Sequence, residues 1–489
     1  MRAARAVFAA LVCASRAGGV LWSALGVVDD GLTDNTDALN SLPVGTLIEG
    51  DCPRGGVVLA QGVWNLRSHL FVRAQAGCAL LSNATGVGSY AISHLDPSAP
   101  LTNVTLIGLT VSKTTRVAGD RVMLAYIDNF RLLNWTFHHH GGALFLRGSC
   151  QEIAGGRSFD DAAAVGAPGV RHVGNQPKAA ACLRAQPADV WVHGNDIVSG
   201  DGAYQACQPL NTALWVNVSS DDMLWEDNTG ASVASALILV GLHNAQPPHS
   251  AFSCTNITFQ RMQGAGLRLI YAQAAAPPNA VARLALRDLD LTSTDAGPFW
   301  PAAIEIAALY GGTVASVVMD GVRARGVPKR ALNVTGLVQS VVFTNGYLSA
   351  PTAGGLSAVH IDGGDSAELS NSFIGGGGAN ASIIDVGMTA ATRGTRVLNC
   401  TLAGVGAGGV GIALGSASGS AILGNTISAQ QGAANTTGIA ADASGYAGTT
   451  HAAVHFNDVR ALATGVVCGH GAGNNITDNP GATDCPATA

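Results

Sequence analysis

The sequence predicts an all-β protein, a right-handed single-stranded parallel β-helix led by an N-terminal capping helix. Three observations carry that expectation. Charged residues make up only 12% of the 489-residue chain against 47% hydrophobic, which suits short strands and tight turns better than long solvent-facing helices. The 63 glycines provide punctuation for many turns. From about residue 100 onward one phrase recurs: a short alternating apolar run, an Asn, Asp or Gly break, then a second short run.

Instances of the phrase are NVTLIGLTV from Asn103, DVWVHGNDIV from Asp189, TNITFQRM from Thr255, ARLALRDLDL from Ala282, SVVMDGVRA from Ser316, SVVFTNGYL from Ser340, AELSNSFI from Ala367, TRVLNCTLAG from Thr395, AILGNTI from Ala421 and AVHFNDV from Ala453. Neighbours are mostly ~20–35 residues apart, a repeat spacing, and each run alternates too briefly to cover a helix face. Every repeat is therefore read as one rung. A leucine-rich frame is missing, and so are the periodic signatures of a β-propeller, the runner-up architecture.

In chain order, residues 1–18 place Arg2 and Arg5 before an apolar stretch from Ala6 to Ala14 and then small residues, the pattern of a secretory signal peptide. Residues 19–489 are read as a single β-helix domain. Residues 147–188 show no strand alternation and hold Cys150 and Cys182, so a long disulfide-pinned insertion loop is expected there. Residues 468–489, with Cys468 and Cys485, are expected to form a stapled C-terminal cap. Nine cysteines follow the signal, an odd number that leaves at least one unpaired in an oxidising compartment. Asn-x-Ser/Thr signals at Asn83, Asn103, Asn134, Asn217, Asn256, Asn333, Asn380, Asn399, Asn435 and Asn475 agree with a secreted glycoprotein, although Asn and Thr also belong in turns and strands.

Net charge is -6, with Arg and Lys scattered rather than clustered, which argues against nucleic acid as a partner. No later stretch is apolar for long enough to form a membrane helix. No metal-ligand spacing and no phosphate loop stands out, so no cofactor and no metal is expected. A soluble extracellular monomer is the expectation.

The stretch GVVDDGLTDNTDALNSL from Gly26 reads as strand, Asp-Gly turn and short helix, with Asp34 placed to cap the helix and Ala38 and Leu39 to cover the first rung. Together with GGVVLAQGVWNLRSHLFVRAQAGCALLSN from Gly55, it resembles the opening of the pectate-lyase superfamily, the pectin-lyase-like solenoids. Later segments are similar, more loosely, to the polygalacturonase branch. SGDGAYQ at Ser199 to Gln205 resembles its Gly-Asp-Asp motif, with Asp201 matching the first acid and Gly202 replacing the second. Ser235 stands where its Gly-His-Gly histidine would fall. Arg268 in RLI matches the arginine of Arg-Ile-Lys, and HGGALFL from His140 corresponds to Asn-Thr-Asp-Gly-Ile-Asp without the acid. PAAIEIAALYGG from Pro301 is similar to the next rung.

The resemblance implies hydrolysis of glycosidic bonds in an acidic, pectin-like polysaccharide, for which two carboxyl groups must flank the bond. Its catalytic candidates are Asp201, with Asp222 as a replacement carboxylate and His140 as a proton donor. Arg268, Gln205 and Trp225 are the substrate-binding candidates: Arg268 as a bidentate partner for a uronate carboxylate and Trp225, like Trp191, Trp215 and Trp300, as a sugar-stacking surface. Each has a plainer reading beside it. Asp201 and Asp222 suit turns, Arg268 suits a structural surface position, and tryptophans also stack between rungs. Two other functions stay open: a uronate lyase or epimerase, and a glycan-binding or cell-wall structural protein that has shed catalysis.

Overall fold

A computed structural model describes residues 19–54, 56–84, 89–96, 98–114, 121–138, 144–159, 170–174, 186–199, 202–207, 218–241, 252–275, 279–293, 302–326, 330–350, 356–441, 451–467 and 474–480. They fall into two compact units, one ending at Ala234 and one beginning at Ser235, with Cys207 and Val218 counted in the second. Each is built from short parallel strands, three to a rung.

In the first unit, Gln151–Ala154, Arg157–Phe159 and Val170–Gly174 pair in parallel with Val190–His193, Asp196–Ser199 and Tyr204–Ala206 of the following rung. In the second unit, Leu284–Arg287, Asp290–Ser293 and Ala302–Leu309 are followed in the same way by Thr313–Asp320, Arg323–Arg325 and Arg330–Gly336. The next rung is Val338–Thr344, Tyr347–Ser349 and Val359–Asp362, and further rungs continue to Asn475–Thr477. The chain is a parallel β-helix.

The recurring phrase in the sequence is the first two strands of a rung and the corner between them. That corner has two residues, and the first takes a left-handed backbone: Asp288 (φ 49), Gly321 (φ 68), Asn345 (φ 53), Asn371 (φ 49), Asn399 (φ 52) and Gly424 (φ 67). Asn, Asp and Gly tolerate that region best, which explains the residue types at the break. The second corner residue turns inward. Where it is Asn, its amide closes the backbone bonding that a buried turn would otherwise leave open. Asn425 is 1% exposed: its Nδ2 donates to the Val397 carbonyl (2.8 Å), and Asn457 Oδ1 accepts from Asn425 N (3.0 Å). Asn457 and Asn479 repeat the pattern, as do Asn195 and Asn228 in the first unit.

The inward side of the third strands is a stack of aliphatics in register: Ile270, Ile304, Leu332, Val359, Ile384, Ile412 and Ile439, with none more than 0% exposed. Such a stack fixes which alternate positions face outward, because the side-chain period along a strand is two.

Three expectations change. The capping helix is only the five-residue turn Thr36–Asn40, with Leu39 its one buried side chain and no side-chain cap. Asp34 still accepts from Thr36 N (3.0 Å), but Asn35 occupies the cap position and turns its amide onto the Val28 and Leu59 carbonyls instead. The stretch 147–188 is not an uninterrupted loop, since Gln151–Ala154, Arg157–Phe159 and Val170–Gly174 within it form a regular rung. Its alternation hides because the strands are only three to five residues long. Asn333, one of the glycosylation signals, is 6% exposed inside a strand and is closed to a glycan in the folded protein. Cys52–Cys78 and Cys207–Cys254 are disulfides, Cys150 is also disulfide-bonded, and Cys400 is a buried free thiol. The signal segment 1–18, Cys468 and Cys485 lie outside the described residues.

Candidate functional site

Outward positions on the third strands of the second unit carry a ladder of chemically active side chains. Tyr271 on Gln263–Ala275 is in register with Glu305 on Ala302–Leu309, Glu305 with Asn333, Asn333 with His360, and His360 with Asp385 on Ser382–Val386. The next two positions in the column are Ala413 and Ala440, so the polar run ends abruptly while the aliphatic stack beneath it continues. Parallel pairing places successive members ~4.8 Å apart along the column. Although they point away from the core, Asn333 and His360 are only 6% and 8% exposed.

At the far end of the ladder His360 sits between two carboxylates. Its Nδ1 lies 2.6 Å from Asp385 Oδ1 and its Nε2 lies 3.7 Å from Asp362 Oδ2. Asp362, two residues along the same strand, also accepts the backbone N–H groups of Thr389 (3.0 Å) and Ala390 (2.8 Å). Burial disfavours the imidazolium, but the bonds to Asp362 and Asp385 outweigh it and lift His360 to about 9. Burial also works against the Asp362 carboxylate, and here His360 and the two backbone donors prevail and hold its pKa below the ordinary range. At neutral pH the ring of this triplet is an imidazolium held between two carboxyl groups. The two contacts and an imidazole width of about 2 Å set an upper limit of about 8 Å on the separation of the carboxylates, with the ring between them.

At the near end Arg268 lies 3.4 Å from Glu305 Oε2 and stacks 3.8 Å over the Tyr271 ring. Tyr271 donates its hydroxyl to Gln273 Oε1 (2.7 Å). Burial raises the Glu305 carboxyl, with the Arg268 charge opposing it, and burial lowers Arg268. The carboxyl is thus biased toward its acid form. Between the two ends, half-buried Arg330 donates to Asn333 Oδ1 (3.2 Å), and its Nε has no hydrogen-bond partner. Arg268 and Arg330 each precede a ladder residue by three positions, a spacing visible in the sequence only once the register is known.

Of the residues singled out from sequence, Arg268 alone joins this ladder, as a buried ion-paired side chain and not a surface arginine. Asp201 and His140 lie outside the described residues. Asp222 belongs to the first unit, where it lies within the strand Val218–Glu226 with a left-handed backbone (φ 53) and its carbonyl accepts from Asp189 N (2.9 Å). Gln205 is 1% exposed and donates to the Gly202 carbonyl (3.1 Å). Trp225 is 0% exposed and meets Tyr204 edge-on at 6.0 Å. Both are packed inside, so neither forms a sugar-contacting surface; the indole fills the space between rungs. Glu305, His360, Asp362 and Asp385 were not singled out, and Asn333 only as a glycosylation signal, because they are single polar letters alternating with apolar neighbours in AAIEIAAL, RALNVTG, AVHIDGG and SIIDVG. A lone polar residue at an alternating position was the available signal.

The fold and this ladder define the class: a parallel β-helix protein with ionisable groups on one outward strand column. No family model matches the chain, and no curated protein matches its sequence. Among solved structures it is similar to a Family 28 exopolygalacturonase from Yersinia enterocolitica, at 13% identity and a TM-score of 0.41, over 86% of this chain and 78% of that one. It is also similar to the catalytic unit of a GH87 α-1,3-glucanase from Streptomyces thermodiastaticus, at 15% identity and TM-score 0.45, over 88% and 70%. A third likeness is to tailspike protein 3 of bacteriophage CBA120, at 11% identity and TM-score 0.36, over 97% of this chain and 64% of the tailspike. At such identities and TM-scores no residue role passes from these proteins to this one.

Proposed function

We propose that the chain is a secreted carbohydrate-active protein that hydrolyses glycosidic bonds of an acidic, pectin-like polysaccharide at the His360 triplet. The observation that carries this reading is the pair of carboxylates, Asp362 and Asp385, held on either side of one imidazolium, since inverting hydrolysis uses two carboxyl groups. Asp362, kept anionic by His360 and two backbone donors, accepts a proton from the attacking water. Asp385 relays the Nδ1 proton of His360 to the leaving oxygen; the ring keeps its Nε2 proton and regains the Nδ1 proton from solvent, while Asp362 gives up to solvent the proton it took from the water. One water is added across the bond and the triplet ends in its starting state. Arg330, one rung from His360 in register through Asn333, supplies a guanidinium for a uronate carboxylate.

The test is reducing-sugar release from polygalacturonate, alginate and a neutral glucan, by the wild type and by Asp362→Asn, Asp385→Asn and Asp201→Asn. The first two substitutions should each lower release at least 100-fold, the usual scale for a lost acid or base. Asp201 is kept as a separate candidate from the sequence, and full activity in its variant would remove it. The hydrogen bonds within the triplet also suit a rigid recognition surface. Binding of an acidic glycan without release from any substrate would establish that reading and end the enzymatic one.

A further inference from the structure

The first unit carries a second constructed cluster on an outward face, in the column formed by the first strands of its rungs. Arg131 on Arg121–Leu133 is in register with Glu152 on Gln151–Ala154, and Glu152 with Trp191 on Val190–His193; His193 is in register with Glu226. The alternate residues Ile153 and Val192 are 0% exposed in the core, so these five side chains point outward. Arg131 Nε lies 2.7 Å from Glu152 Oε2, and His193 Nε2 lies 3.5 Å from Glu152 Oε1. Burial works against the Glu152 carboxylate, but His193 and Arg131 prevail and lower its pKa, so it is an ionised acceptor.

Trp191 is the unusual member. Trp22, Trp64, Trp135 and Trp225 are at most 1% exposed and fill the interior, whereas Trp191 is partly exposed on the outer face. Leaving an indole in water forfeits the transfer free energy that burial gives the others. Its orientation is nonetheless fixed from two sides: Nε1 donates to Glu226 Oε1 (2.7 Å), and the ring stacks on His193 at 3.8 Å and 20°. A ring immobilised in this way on a rigid sheet loses no rotamer freedom when a ligand arrives. Pyranose rings present C–H faces to indoles and hydroxyls to carboxylates and guanidinium. The local charge, two carboxylates to one Arg with a histidine between them, does not favour an anionic sugar.

We infer that Trp191, with Glu152, His193, Glu226 and Arg131, forms a binding site for a neutral pyranose chain, separate from the His360 triplet and independent of whether that triplet is catalytic. The probes are β-1,4-linked glucohexaose, β-1,3-linked glucohexaose and β-1,4-linked mannohexaose, titrated by calorimetry and intrinsic fluorescence against the full chain. At least one should bind, with Trp191→Ala weakening it 10-fold or more, Trp191→Phe weakening it less, and Asp385→Asn leaving it unchanged. Circular dichroism reports whether the variants keep their β-structure, which substitution of an outward side chain should allow. Absence of binding by all three sugars, or equal affinity of the wild type and a folded Trp191→Ala, would overturn the inference. Loss of binding in Asp385→Asn alone would instead place the neutral sugar at the triplet and overturn it equally.

Discussion

Replacing Asp385 by Asn keeps the shape of the His360 triplet and removes one of its two carboxyl groups. The lift of His360 from 6.5 to about 9 corresponds to roughly 3.4 kcal/mol of preference for the charged ring. The ring is not wholly withdrawn from water, so about half of that is a sounder figure for stability. Asp385 makes the closer contact, 2.6 Å against 3.7 Å, and the substitution should cost about 1 kcal/mol at pH 6. The folded pKa is raised above the unfolded one, so the stabilisation is complete below about pH 6.5 and is lost as pH rises through 9. Asp362, whose folded pKa is depressed, contributes stability above about pH 4 that is lost at lower pH. The two effects overlap between pH 4 and 6.5, where the wild type should exceed the variant by the most. Urea unfolding at pH 6 and at pH 9.5, together with NMR titration of the His360 imidazole, measures this. A wild-type ring titrating near 6.5, or a stability difference equal at both pH values, would refute the account of the triplet as an ion cluster.

Other outcomes follow from the same physical reasoning. Glu305→Gln should change the pH dependence of stability: the unfolded chain loses the Glu305 proton before the folded one does, so the advantage of wild type over variant should shrink as pH rises above 4.5 in thermal melts. Trp225→Ala should cost about 3–5 kcal/mol in urea unfolding, since the indole is wholly buried, whereas Trp191→Ala should cost under about 1 kcal/mol. Asn425→Ala would leave the amide of Cys400 and the carbonyl of Val397 without their partner and should cost about 1–3 kcal/mol. Alkylation under native conditions should spare Cys400, whose thiol burial pushes up to about 11, and should label it once the chain is unfolded.

The corners and the first two strands of each rung were legible because their signal is local. A left-handed corner admits few residue types, so Asn371, Asn399 and Gly424 announce themselves in any reading, and the short alternations on either side follow from the period of a strand. The third strand carries no such marker. It is joined to its neighbours by connections of varying length, as from Ser293 to Ala302 or from Ser349 to Val359, and its polar members are single letters in apolar runs.

The sequence by itself determined an all-β repeat architecture and the residue types at its corners, because these depend on neighbours within a few positions. Whether Glu305, Asn333, His360 and Asp385 have anything to do with one another depended on the register between strands about 25–30 residues apart. A shift of one residue in any rung would turn a ladder member into the core and an isoleucine into water. That register is fixed only when the aliphatic side chains of all the rungs stack together, and so the tertiary structure alone decided which lone polar residues form a site.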